Sequence, residues 1–158
     1  MSERPRIERS VTVAAPADTL YDMVADMTRM GEWSPACTGA TWDEGAGATV
    51  GSWFTGHNKM RDRSYDTRCE ITDAQRPTTI AWMQRGKDEG FTEWRYTFAP
   101  VESGTEVTES WTLVRDFPTQ GDTAVSPSEA EERRNRMIDA FTSGIEQPLA
   151  KLKAVAEG

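Results

Sequence analysis

Histidine and cysteine are scarce in this chain: His57 is the only imidazole, and Cys37 and Cys69 are the only thiols. One histidine and two distant cysteines cannot assemble the four-ligand sphere of a structural zinc site, so no metal is expected. Gly45, Gly47 and Gly51 are not followed by G-K-[ST], so there is no phosphate loop and no cofactor is expected. No local Ser/His/Asp signature surrounds His57. Positive charge is also short: 18 Lys and Arg stand against 26 Asp and Glu, a net charge of −8. That balance argues against nucleic acid and against anionic membrane surfaces, since both need a basic face. Apolar runs fall far short of a bilayer span, so no stable membrane insertion is expected. The opening MSERPRIERS is charged and does not read as a signal, so a cytoplasmic location and reduced thiols are expected. Repeats, low-complexity tracts and linkers are missing too. The 158 residues therefore read as one domain, 1–158. None of these absences excludes a neutral, lipid-like ligand.

What the chain does have is a folding composition, 37% hydrophobic with six tryptophans, and a regular order of patterns. Arg6 to Ala14 alternates as a strand. Pro16 opens a short helix with Leu20, Val24 and Met27 on one face, and a second helical piece runs through Met30. Strand patterns follow at Cys37–Asp43, Val50–Asn58, Ser64–Asp73, Thr79–Gln84, Phe91–Ala99 and Thr105–Arg115. Lys59 to Arg63 reads as a polar connection and Arg85 to Gly90 as a charged turn. From Ser126 a long helix begins with an S-x-x-E capping box, Ser126 to Glu129, and proline at its first position. Met137 or Ile138, Phe141, Ile145, Leu149, Leu152 and Val155 draw one apolar stripe along it. Gly144 and Pro148 interrupt that stripe and predict a kink. Turns this short make the strands antiparallel neighbours. The expected architecture is α+β: a curved seven-stranded antiparallel sheet wrapped around a long C-terminal helix, with two short helices between strands 1 and 2.

Alternation assigns the inner face of that sheet. Trp94, Tyr96 and Phe98 share a phase, as do Ile80 and Trp82, and Val107, Glu109, Trp111 and Leu113. Cys69 and Ile71 share another. Phe54, Gly56 and Asn58 oppose Trp53, Thr55 and His57, which places His57 away from the interior. These rings either fill a solid core or line a ligand cavity, because ligand sites too are mostly apolar and aromatic. The polar members separate the two readings. A buried carboxylate at Glu109 needs a partner, a water or a ligand. Its ordinary explanation is a rim position or a pairing with Arg68. Trp33 in the EWSP segment is either a core anchor or part of an entrance, and Cys69 is a small core residue rather than a reactive thiol.

The order of these segments resembles the SRPBCC superfamily, which includes START lipid-transfer domains, plant pollen allergens and polyketide cyclases. SVTVAAPADTLYDMVADMTRMGEWSP, Val50-Gly51-Ser52-Trp53-Phe54 with Gly56-His57-Asn58, Cys69-Glu70-Ile71 before Pro77, and Gly104-Thr105-Glu106-Val107-Thr108-Glu109-Ser110-Trp111 are similar to its bacterial polyketide cyclase/dehydrase and lipid transport group. The resemblance covers Ile7 to Leu152. It implies a helix-grip fold with a deep cavity between sheet and C-terminal helix. It does not imply a ligand, because one fold hosts many functions.

Two functions remain open. One is a carrier or binding protein for a small hydrophobic molecule, such as a lipid, a polyketide or an isoprenoid-like compound. The other is a cyclase, dehydratase or aromatase working in the same cavity, with Glu109, Tyr96 and Asn58 as the catalytic candidates. The expected ligand contacts are Trp33, Phe54, Asn58, Cys69, Ile71, Trp82 and Trp94, with Tyr96, Glu109, Trp111, Phe141, Gly144 and Ile145. The sequence leaves the oligomeric state undetermined.

Overall fold

A computed structural model describes residues 5–158 apart from Ala36, Thr119, Asp122, Thr123 and Ile145. Seven strands form one sheet: β1 (Arg6–Val13), β2 (Cys37–Trp42), β3 (Trp53–Met60), β4 (Arg63–Gln75), β5 (Thr79–Gln84), β6 (Thr92–Val101) and β7 (Gly104–Leu113). Their order across the sheet is β1-β7-β6-β5-β4-β3-β2, with every neighbouring pair antiparallel. Six strands follow one another by short turns, as their spacing requires. The first strand instead joins the last, Arg6 opposite Thr112 and Val13 opposite Thr105. Register shifts at Ile71/Asp73 and Cys37/Gly39 bend the β4 and β2 ends, as bulges do.

Between β1 and β2 lie α1 (Ala17–Ala25) and a 3₁₀ turn, Met27–Glu32. Leu20, Val24 and Met27 are buried along one side, and Tyr21 meets Phe98 of β6 edge-on at 5.9 Å. The charged 85–90 turn holds a four-residue helix, α2 (Gly86–Glu89), instead of an irregular connection. Arg85 and Gly86 enter it at positive φ, and the Arg115 guanidinium donates to the carbonyls of Lys87 and Asp88. The polar connection before β4 is also shorter than expected. β3 runs on to Met60, and Arg61 takes the left-handed conformation that lets the chain reverse at once. Val50 lies outside β3 and is 65% exposed.

The C-terminal segment is helical over Pro127–Gly144 (α3) and Glu146–Glu157 (α4), two stretches that flank Ile145. The Ser126 hydroxyl accepts from the Glu129 amide at 3.1 Å, so the cap forms. Glu129 itself turns to Arg133 at 2.8 Å, one helical turn on, and not back to the cap. The kink expected from Gly144 and Pro148 falls around Ile145, which lies outside the described residues. Leu149 and Leu152 of α4 are buried with Val13, Phe54, Ile71, Ile80, Tyr96, Phe98 and Val107 in the main core. Val155 is 37% exposed, so the apolar stripe ends one turn before the sequence pattern does. A second, smaller cluster unites Ile7, Trp111 and Leu113 with Met137, Ile138 and Phe141 of α3. The opposite face of the sheet is polar. There Arg95 binds Asp73 at 2.7 Å and Glu93 at 3.0 Å.

Candidate functional site

The inner face of β5, β6 and β7 carries the rings in register. Ile80 lies opposite Tyr96, Trp82 opposite Trp94, Tyr96 opposite Glu109, and Trp94 opposite Trp111. Trp82 stacks on Tyr96 at 5.9 Å, and Phe54 meets Trp82 edge-on at 6.5 Å. Cys69 and Ile71 fill the space beside them. At the other end, Phe141 of α3 lies 4.9 Å from Trp111 and 5.0 Å from Trp94. Trp94 touches both clusters, so the aromatic layer is continuous from β3 to α3.

Glu109 sits inside this layer and is 3% exposed. It is neither at the rim nor paired with Arg68, whose guanidinium instead grips Asp43 at 2.6 and 2.8 Å on the other face. Burial pushes the Glu109 carboxyl up to about 8, and a hydrogen bond from the Tyr96 hydroxyl opposes that rise only in part. The same burial and the neighbouring carboxyl hold the Tyr96 hydroxyl well above its ordinary value. At neutral pH this is a neutral acid held by a phenol. Oε2 of Glu109 and Nε1 of Trp111, two residues apart on β7, are both buried and have no hydrogen-bond partner. Unpaired buried polar atoms are uncommon enough to call for a reason.

The other candidates separate from this pair. Asn58 shares the inner phase of β3, but β4, β5 and β6 stand between it and β7. Its amide already donates to Gly56, Thr67 and Tyr65 at 3.2 to 3.4 Å. His57 faces outward, between Thr41 at 2.9 Å and Asp66 at 3.0 Å. Trp33 is buried in the main core with the Arg29 guanidinium over its ring at 5.9 Å, which makes it an anchor. Burial raises the Cys69 thiol to about 11, which disfavours the reactive thiolate. Gly144 is the last residue of α3, and Ile145 lies outside the described residues. Among the described residues no cluster of His, Cys, Asp and Glu could hold a metal.

Two concavities open beside the aromatic layer, and neither is lined by a residue nominated from the sequence. One, of about 420 Å³, lies between α1 and the sheet, with Tyr21, Ala25, Trp42 and Ala74 as walls and the Arg76–Asp22 ion pair in its lining. The other, of about 640 Å³, runs under the first half of α3. Its apolar surface is Leu113, Phe117, Pro127, Ala130 and Ile138, and its polar surface Asp116, Glu131, Arg134 and Asn135. Leu113 and Ile138 also belong to the Trp111 cluster, so this groove backs onto the aromatic layer. Four of its nine lining residues are polar or charged, a more polar lining than small-molecule sites ordinarily have. No pattern within one segment reveals these linings, because they depend on where α3 lies against the end of β7.

The fold is a known one. A Polyketide_cyc-like protein of Corynebacterium glutamicum is 32% identical, with 99% of this chain and 94% of that one covered and a TM-score of 0.66. A protein of unknown function from Staphylococcus aureus shares 14% identity over 98% of this chain and 94% of its own, with a TM-score of 0.71. The di-domain ARO/CYC StfQ of the steffimycin biosynthetic pathway is 16% identical, covered over 96% of this chain and 50% of that one, with a TM-score of 0.68. At such identities the last two establish the fold alone. No curated protein matches. No described helix is long and apolar enough to cross a membrane. The family model for polyketide cyclase / dehydrase and lipid transport matches residues 4–157, and the chain belongs to that family.

Proposed function

We propose that this protein is a single ligand-binding domain that holds a small hydrophobic molecule, a lipid, polyketide or isoprenoid-like compound, between the sheet and the C-terminal helices. The observation that carries this reading is the groove of about 640 Å³ under α3, backed by the Trp94–Trp111–Phe141 layer. Its volume suits a molecule of that size. A molecule there lies close behind Leu113 and Ile138 to the Trp94–Trp111 layer, so titration with Nile red should quench indole emission. Ala130→Trp fills the groove and should lower the affinity at least about tenfold, by occupying the volume the ligand needs, with an unchanged melting temperature. A dye that ignores the native protein, or binds the filled variant equally well, defeats the reading.

One observation favours an enzyme, a polyketide cyclase, dehydratase or aromatase. Glu109 and Tyr96 form a buried neutral acid beside a hydroxyl, a couple suited to proton transfer near neutrality. In that case Glu109→Gln abolishes product formation from a poly-ketone thioester, read by mass spectrometry, while Nile red still binds. Equal turnover by wild type and variant removes Glu109 from the chemistry.

A further inference from the structure

Trp111 is fully buried and Glu109 nearly so, and each keeps one side-chain polar atom without a partner. Both side chains stand on the inner face of β7, about 7 Å apart along the strand. Their chemistry is of one kind. An indole N–H can only donate. The Tyr96 hydroxyl donates to the Glu109 carboxyl, and with burial holding that carboxyl protonated near neutral pH, its remaining hydrogen-bonding group is an O–H donor. Two donors therefore face the interior. A water placed between them would accept from both but would strand its own protons in an apolar layer.

We propose that the polar end of the bound molecule is a carbonyl oxygen, received by the Trp111 indole N–H and the acid proton of Glu109. This rests on the ligand-binding reading above and deepens it by naming the group the site selects. A ketone or quinone oxygen accepts twice and has no proton to place. An alcohol at the same spot leaves its own proton buried without an acceptor, and a hydrocarbon leaves both protein donors unpaired. Phe141 lies on Trp111, and Leu113 and Ile138 link that cluster to the groove. The molecule's apolar body thus lies under α3, and for its carbonyl to reach Trp111 the Phe141 ring, 4.9 Å from Trp111 in this structure, must swing aside.

The test uses three probes on one skeleton: 2-acetylnaphthalene, 1-(2-naphthyl)ethanol and 2-ethylnaphthalene. Each is titrated at pH 6.5 by tryptophan emission, with the indole ¹⁵N–¹H resonance missing from Trp111→Phe followed in parallel. The ketone should bind at least about tenfold more tightly than either analogue, and should move the Trp111 resonance as the other two do not. Trp111→Phe and Glu109→Leu should each shrink that ratio at least threefold, mainly by weakening the ketone. Three equal affinities overturn the carbonyl proposal while leaving the binding site standing, and so does a ratio that survives when Trp111→Phe and Glu109→Leu are combined. If none of the three binds a wild type that still takes up Nile red, the carbonyl proposal alone falls; if Nile red is ignored as well, the binding reading falls, and this inference with it. The wild-type comparison needs no variant to fold.

Discussion

A carboxylic acid kept neutral inside a sheet makes stability depend on pH in a fixed direction. Glu109 is raised from 4.5 to about 8, so the folded state holds its proton more tightly than the unfolded chain. Its neighbours in register are Tyr96 on β6 and Arg9 on β1, whose guanidinium donates to the Glu8 carbonyl at 2.7 Å. The contribution is fully present below 4.5, declines as pH rises, and is gone above about 8. Over that window it amounts to a loss on the order of 4 kcal/mol. Calorimetry should show the wild-type melting temperature falling from pH 5 to pH 9 relative to Glu109→Gln, with the variant the more stable at pH 9. Parallel profiles for the two proteins would show that Glu109 is ionised in the fold. The carboxyls of Asp22 and Asp73 are lowered by Arg76 and Arg95, so they act at lower pH and leave this comparison clean. The thiols give a second expectation: with Cys37 and Cys69 both buried and raised, iodoacetamide at pH 8 should label neither in the native protein and both in urea. At this scale alternation had already turned Glu109, Tyr96 and Trp111 inward and His57 outward. It failed to separate Asn58 from them, because a strand's phase says nothing about how many strands lie between two positions.

The two described stretches of the C-terminal helical segment are held differently. α4 sends Leu149 and Leu152 into the main core, and Lys153 and Glu157 bond the backbone at Thr12 and Ala14. α3 rests on the half-buried Met137, Ile138 and Phe141. Leu152→Ala should destabilise the whole protein by about 3 kcal/mol and lower its single melting transition. Phe141→Ala should cost about 2 kcal/mol and mostly loosen α3, read as faster amide exchange in residues 130–142 with β5–β7 unchanged. Uniform acceleration across the sheet would mean that α3 is not a separate opening unit. A long C-terminal helix was legible in the capping box at Ser126 and in the proline that follows it. The α2 turn was not, since Gly86–Glu89 offers no apolar periodicity and is held by Arg115 from elsewhere in the chain. The exposed end of the stripe at Val155 had no sequence signal either, because the position where a helix leaves its core is a property of the packing.

Across the whole molecule, the hairpins from β2 to β7 are local, while β1 closes on β7 across most of the chain. Pairings of such separation slow folding into the millisecond-to-second range. Ile80 lies in the central strand β5, and Val13 sits where β1 meets the core. Val13→Ala should cost about 2 kcal/mol, almost all of it as faster unfolding. Ile80→Val should slow folding instead, because the central hairpins form before β1 docks. A chevron in which Val13→Ala slows folding would place β1 in the nucleus. The same closure has a consequence during synthesis. The Arg6 guanidinium donates to the Thr112 hydroxyl at 3.4 Å from 106 residues away. A ribosome working at about 5–20 residues per second takes roughly 5–20 s to cover that distance. For that time the newborn β1 has no neighbour in the sheet, so Ile7, Val11 and Val13 are in reach of whatever waits at the tunnel mouth.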